Sequence, residues 1–367
     1  LIFASYFFLK KKKKKFITKE FLRLSSLFFV SFLSIFYTGS FFFPKNKIET
    51  SLSLVIVPLA FCLLHYKKIK RSFVFFFIKC FILSTTILSI ISLYFYYDNN
   101  LFKKGGFRVN SFRKLILEIP IINDHPIYIS LYLALSLLFS IAIFSIINNN
   151  KKIILIIINL INIFHLLLLS SKGVIIGVLI SSVLFLILKL KNKRNKLILV
   201  FLIVSMTLLC IMYFPNTSRR FRELGVKSTY EKLEITNSTS LRIFVYKCAI
   251  EKIKTRPILG HGWGKGDSSL IDCYKDKSDY LFKQKLNSHN QFLDYYLNGG
   301  VLLLFILIYF IYHQIIISIK QKKYLLTSTI VFFTIQMLSE NILNRQTGII
   351  MFIFMICLFK FQSKVLN

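Results

Sequence analysis

The chain has 367 residues, of which 55% are hydrophobic and 17% charged, with 40 Phe and a mean hydropathy of +0.63. A soluble domain carries about 45–50% apolar residues and about a quarter charged ones, so a soluble globular protein is excluded. The formal net charge of +34 does not mark a nucleic-acid binder, because Lys and Arg fall in short clusters between apolar runs; that is positive-inside patterning, not a basic face.

A span of the bilayer takes about 20 apolar residues, oriented by flanking Lys and Arg. The opening stretch LIFASYFFL, with Leu1 in place of Met, reads as the tail of a helix that begins upstream. A lysine block, Lys10–Lys15, follows where a signal-peptide cleavage site would lie, which argues against a signal peptide and puts this end in the cytoplasm. A first span is expected over Leu24–Phe43, a short outer loop over Pro44–Thr50, and a second span over Ser51–His65, kinked by Pro58. Lys67–Arg71 returns the chain inside; a third span covers Ser72–Tyr97, and Asp98–Pro126 forms a polar outer loop. Ile127–Ile147 is the fourth span.

Ile153–Leu190 would make about 57 Å of continuous helix, too long for one crossing. Ser170-Ser171-Lys172-Gly173 divides it into a fifth and a sixth span with a tight outer turn. Lys189–Lys196 is inside, and Leu197–Phe214 is the seventh span. After a large outer loop, the eighth to tenth spans are expected over Gln291–Tyr312, Leu325–Leu343 and Gly348–Phe361. Every strong basic cluster then lies on one side. The expected fold is an all-α polytopic membrane protein of about ten transmembrane helices, eleven or twelve in an intact protein, since the bilayer admits only helices or closed barrels. Three regions follow: an N-terminal bundle over 1–214, a large loop over 215–290, and C-terminal helices over 291–367.

The loop from Pro215 to Ser288 holds fifteen Lys or Arg and eight of the fifteen acidic residues in the chain. It reads as a folded aqueous structure whose basic excess suits an anionic substrate, although long loops escape the positive-inside rule anyway. Ser240–Thr255 shows helical spacing in Leu241, Phe244, Val245 and Cys248, with Ser240 as a candidate N-cap and Pro257 as the stop. Arg242 would sit in the first turn, where a cation opposes the helix dipole unless an anion is near. Gly260-His261-Gly262-Trp263-Gly264-Lys265-Gly266 is neither a P-loop nor a Rossmann turn. Its alternating glycines allow N–H groups to approach a ligand, or make a flexible turn. Ser288 and Gln291 have capping-box spacing, so a helix beginning at His289 is expected. A His at such a terminus, beside a bound phosphate, is suited to taking a proton from a hydroxyl. Gly299-Gly300 would permit close helix packing.

Of six cysteines, Cys62, Cys80, Cys210 and Cys357 lie in apolar runs. Cys248 and Cys273 share the polar loop, as a disulfide if it faces outward or as two free thiols. No metal-binding spacing is present, and no cofactor is expected.

Arg242, the segment PILGHGWGKG and HNQFLDYYLNGG together resemble the O-antigen ligase/polymerase family. FYTGSFFFPKNKIETSLSLVIVPLAF, DHPIYISLY, SSKG and SENILNRQTG extend the likeness to O-antigen-ligase-related membrane proteins of Bacteroidetes-type bacteria. The resemblance implies a multi-pass protein of the bacterial inner membrane with GT-C-like glycosyltransferase architecture and its large loop in the periplasm. It implies transfer of a glycan from undecaprenyl diphosphate to an acceptor hydroxyl of lipid A-core, by a metal-independent, inverting mechanism. His289 and Arg242 take the catalytic positions; Lys172, Gly262, Gly264 and Asn290 take diphosphate-binding ones. Many family members have Ser-Arg-Gly where this chain has Ser171-Lys172-Gly173, so the paired donors of Arg are replaced by one ammonium. Partners are the lipid-linked donor, the glycan acceptor and membrane lipids, not nucleic acid. A polymerase joining repeat units is the nearest alternative. A polysaccharide transporter or flippase would carry ionisable residues at mid-membrane, where Lys79 and Glu340 are the main candidates here.

Overall fold

The structure, a computed structural model, describes residues 19–36, 44–64, 69–102, 109–120, 122, 124–227, 229, 233 and 237–363. Lys10–Lys15, the end of the expected first span, Lys67, Gly105-Gly106 and Lys364 lie outside these. The helices in chain order are α1 (Ser26–Leu33), α2 (Lys45–Ser51), α3 (Ser53–Leu64), α4 (Arg71–Asp98), α5 (Val109–Glu118), α6 (Pro126–Ile143), α7 (Asn149–Leu169), α8 (Lys172–Lys189) and α9 (Lys193–Tyr213). After α10 (Pro215–Arg222) come α11 (Ser238–Thr255), α12 (Lys265–Lys275), α13 (Asp279–Gln284), α14 (Gln291–Lys320), α15 (Tyr324–Met337) and α16 (Gln346–Lys360). No strand occurs among the described residues.

Among the described residues, 7 helical stretches are long and apolar enough to cross a membrane: Lys45–Leu63, Arg71–Asp98, Pro126–Ile143, Asn149–Leu169, Lys172–Lys189, Arg194–Tyr213 and Gln291–Lys320. The protein is thus a polytopic helical membrane protein. The last two expected spans, α15 and α16, are apolar but short, with 14 and 15 residues. At 1.5 Å per residue they reach about 22 Å, less than the hydrocarbon core.

Three sequence expectations need correction. Pro44–Thr50 is not a loop: Lys45–Ser51 is helical, leads into α3, and Pro58 lies inside that helix. The Asp98–Pro126 segment contains α5, which forms because Phe112 and Ile116, four residues apart, bury one face. Finally, α15 ends at Met337, so Glu340 stands in the polar turn beyond the helix rather than within a span.

The chain divides into two compact units, one of Leu1–Ile69, Val226–Gln321 and Phe333–Phe361, the other of Lys70–Gly225, Lys322–Phe332 and Gln362–Asn367. In the second, α6 packs on α4, α7 and α8. Polar side chains tie these spans where hydrocarbon offers no alternative partner. Asn162 donates to Thr86 at 3.2 Å and Ser136 at 3.3 Å and accepts from Ser89 at 2.9 Å, while His165 lies 3.3 Å from the Tyr96 hydroxyl. Ser170 ends α7 in the left-handed region, at φ 45°, and α8 starts two residues later, as the expected break requires. In the first unit α16 packs on α3, and α14 on α1 and α11.

Candidate active site

The site is assembled in the first unit by α11, the glycine loop, the start of α14 and the turn after α15. Helix α11 begins at Ser238, capped by Asn237, whose Oδ1 accepts from Thr239 N at 3.0 Å and Ser240 N at 3.4 Å. Asn237 therefore replaces Ser240 as the cap, and Arg242 moves into the second turn, away from the unfavourable end of the dipole. Pro257 lies just past the end of α11 at Thr255. Val245, Cys248 and Ala249 are buried against Leu270, Cys273, Tyr274 and Leu297. A Cys248–Cys273 disulfide, with Cα atoms 5.9 Å apart, fastens α11 to α12.

The glycine loop docks on an interruption of α14. Gly300 has φ 64° and ψ −161°, which breaks the helical ladder and leaves carbonyls without their usual donors. His261 N donates to Leu297 O at 2.8 Å, Gly262 N to Asn298 O at 2.7 Å, and Val301 N to Pro257 O at 3.1 Å. The backbones are so close that a Cβ on Gly300 would lie 2.0 Å from Ile258 O, and one on Gly260 would lie 2.5 Å from Gly300 N. Gly264 N donates to Asn298 Oδ1 at 3.1 Å. The amides of Gly262 and Gly264 are thus engaged within the protein. Gly300 packs against this loop, so the close approach expected of Gly299-Gly300 is realised with the loop and not with a second span. Trp263 is buried edge-on to Phe28, their ring centres 5.9 Å apart. The whole loop is a platform.

At the start of α14 the cap is Asn290, whose Oδ1 accepts from Phe292 N at 2.9 Å and Leu293 N at 3.1 Å. The expected capping box does not form and the helix begins at Gln291, not His289. Gln291 instead accepts from Leu343 N at 2.7 Å, and Ser288 pairs with Asn341 at 3.1 Å. His289 is held in the left-handed region, at φ 46°, immediately before the cap. Strain of this kind, in a non-glycine residue, persists only where the surroundings over-determine it. Here they do: His289 N donates to Asn287 Oδ1 at 3.1 Å, and the Tyr246 hydroxyl lies 3.1 Å from both His289 O and Leu338 O. Burial raises the pKa of the Tyr246 phenol, so that hydroxyl stays a donor.

His289 Nδ1 faces Glu340 Oε2 at 3.3 Å, and the Arg242 guanidinium is paired with Glu340 Oε1. One carboxylate therefore holds both expected catalytic residues. Below them Asp294, 2% exposed, accepts from Asn344 at 3.1 Å and lies 3.4 Å from Asn341 and Gln291 side-chain nitrogens. Lys47 pairs with Asp267 at 2.7 Å and lies within electrostatic reach of Asp294. Through Asn341 and Asn344, the buried Asp294 fixes the turn that carries Glu340.

Lys172 belongs to the second unit. It starts α8, is 8% exposed, and its Nζ lies 3.0 Å from Glu223 Oε2. Asn290 caps α14 and donates to Leu338 O at 3.2 Å, a positioning part. Sequence reasoning missed Glu340, Asp294 and Lys47 as site components. The available signal was compositional: a rare acidic residue amid SENILNRQTG, just past an apolar run. No group of His, Cys, Asp or Glu clusters as a metal ion requires among the described residues.

Residues 154–308 match the family model described as O-Antigen ligase. The matched segment runs from α7 into α14 and includes Lys172, Arg242, the glycine loop, His289 and Asn290; Glu340 lies beyond it. No curated protein matches the chain.

Proposed function

We propose that this protein, whose residues 154–308 match the O-antigen ligase family model, has a ligase- or polymerase-type function and moves a glycan from undecaprenyl diphosphate to a hydroxyl of lipid A-core. The reaction takes place on the periplasmic face of the inner membrane. The observation that carries the reading is the single carboxylate, Glu340, that contacts both His289 and Arg242.

With Nδ1 turned to Glu340, the imidazole presents Nε2 as its basic edge, the tautomer being set by the partner of the other nitrogen. Nε2 takes the proton from the acceptor hydroxyl while that oxygen attacks the anomeric carbon. The bond from this carbon to the diphosphate oxygen breaks, and the diphosphate leaves with the electron pair. Attack opposite the leaving group inverts the anomeric centre. Arg242, oriented by the same carboxylate, has further N–H groups for the charge that develops on the diphosphate. The Cys248–Cys273 disulfide supports an outward-facing loop, since disulfides persist in oxidising compartments such as the periplasm.

The test is conversion of polyprenyl-diphosphate-linked glycan to glycosylated acceptor by the full chain in liposomes. His289→Ala should keep expression and insertion and slow transfer by about 10²–10⁴-fold. Normal turnover of that variant would end the assignment of His289 as base. Failure of the wild type with every glycan acceptor would put a transporter ahead.

A further inference from the structure

At the other end of the first unit, residues 19–26 and the second half of α14 enclose a cavity of about 290 Å³. His313, on its wall, is 13 residues past the interruption at Gly300, about 20 Å down the helix axis at 1.5 Å per residue. That lies beyond the middle of a hydrocarbon core about 30 Å thick. The cavity thus faces the leaflet opposite the His289 end.

Its lining is amphiphilic. Leu22, Ile306, Tyr309 and Phe310 supply an apolar floor, with Leu22 and Tyr309 about half exposed at 50% and 49%. Lys19 and Arg23 form a cationic rim. Arg23 donates to Glu20 at 2.8 Å, and the other Glu20 oxygen pairs with Lys360 at 2.7 Å, so Lys19, Arg23 and Lys360 outnumber the one carboxylate among them. Gln314, only 1% exposed, also lines the cavity. Its Oε1 accepts from Lys360 at 3.1 Å, whereas its buried Nε2 donates to nothing among the described residues. A buried amide donor without an acceptor is unfavourable, and it here borders a cationic rim.

We infer that this cavity binds an anionic phospholipid of the leaflet opposite the His289 end, its phosphate between Lys19, Arg23 and the Gln314 amide and an acyl chain along Leu22, Ile306 and Phe310. The apolar floor disfavours a small hydrated anion, and the unsatisfied donor and cations disfavour an uncharged lipid tail alone. Charge complementarity to a phosphate and continuity with the lipid-facing surface commit the site to one occupant.

The experiment uses the full chain, delipidated in mild detergent and exchanged with phosphatidylglycerol or phosphatidylcholine of matched acyl chains, and counts retained lipid by native mass spectrometry. Retention of phosphatidylglycerol at least about tenfold above phosphatidylcholine is expected, as one to two charge-assisted hydrogen bonds imply. Lys19→Gln/Arg23→Gln should abolish the preference. So should Gln314→Glu, which keeps an acceptor for Lys360 while replacing the amide donor with a repelling charge. Equal retention of both lipids, or an unchanged preference in Lys19→Gln/Arg23→Gln, overturns the inference. Displacement of the lipid by millimolar inorganic phosphate makes the site an anion site and also overturns it. A photoreactive phosphatidylglycerol on wild type needs no variant to fold: cross-links are expected in residues 19–26 and 306–314, and cross-links confined elsewhere refute the site. No arm measures glycan transfer, so the outcome is independent of the catalytic reading.

Discussion

Replacing Glu340 with Gln removes the charge that joins Arg242 to His289 and keeps the size of the side chain. Charge-assisted hydrogen bonds contribute roughly 1.5–3 kcal/mol when shielded from water. The Arg242 and His289 side chains are 25% and 26% exposed, and the contact to His289 is long, at 3.3 Å. The low end therefore applies: about 1.5 kcal/mol of lost orientation, or about a tenfold fall in kcat. The fall should lie in kcat more than KM, because the ordering matters most as charge moves. The assay is glycan transfer in liposomes for wild type, His289→Ala, Glu340→Gln and the double variant. If Glu340 positions the base, Glu340→Gln must cost less in the His289→Ala background than in wild type, the coupling expected of side chains in contact. Equal cost in both backgrounds, with unchanged thermal unfolding, would refute the dyad.

Gly300→Ala should lower the thermal midpoint by several degrees, since its Cβ meets Ile258 O at 2.0 Å and its dihedrals suit only glycine; an unchanged midpoint in a fluorescence melt would contradict the docking. Cys248→Ser/Cys273→Ser should lose about 3 kcal/mol of local stability, read as faster amide exchange in α11 and α12, because the bridge closes a sequence separation of 25. Alkylation without reductant should leave those two cysteines unmodified in wild type. Lys172→Ala is expected to abolish transfer and Lys172→Arg to retain it. Glu223→Gln, which removes the ion pair to Lys172, should reduce stability by about 1 kcal/mol yet leave transfer measurable; full activity of Lys172→Ala would remove Lys172 from the reaction.

The second to eighth expected spans were legible because each is a local run whose composition is decided by its surroundings, and the break at Ser170 because a single helix could not fit the bilayer. The caps were only half legible. Ser288-His289-Asn290-Gln291 satisfies a capping box and an Asn cap equally well on paper; Leu343, 52 residues away, decides the matter by taking the Gln291 carbonyl. Likewise Asn237 and Ser240 both suit an N-cap, and only the helix start at Ser238 separates them. The glycine pattern signalled close approach, but its partner is another backbone, an encounter no local pattern encodes. Glu340 illustrates the hardest case. Its importance comes from two contacts, at sequence separations of 98 and 51, and hydropathy merges it with the span before it.

The interruption at Gly300 also sets how the bilayer acts on this protein. Residues 301–320 continue for about 30 Å as helix, enough alone to cross the hydrocarbon. Residues 291–299 are then surplus to the crossing and are anchored by the glycine loop. A long hydrophobic segment answers a change in membrane thickness by tilting, and a rigid 30-residue rod would swing its tip, with His289, by several ångströms. The interruption lets the lipid-embedded length lean while the short upper piece stays fastened to its loop. The His289 end is thereby shielded from changes in lipid thickness, as a lamp on a pivot keeps its aim while the mast sways.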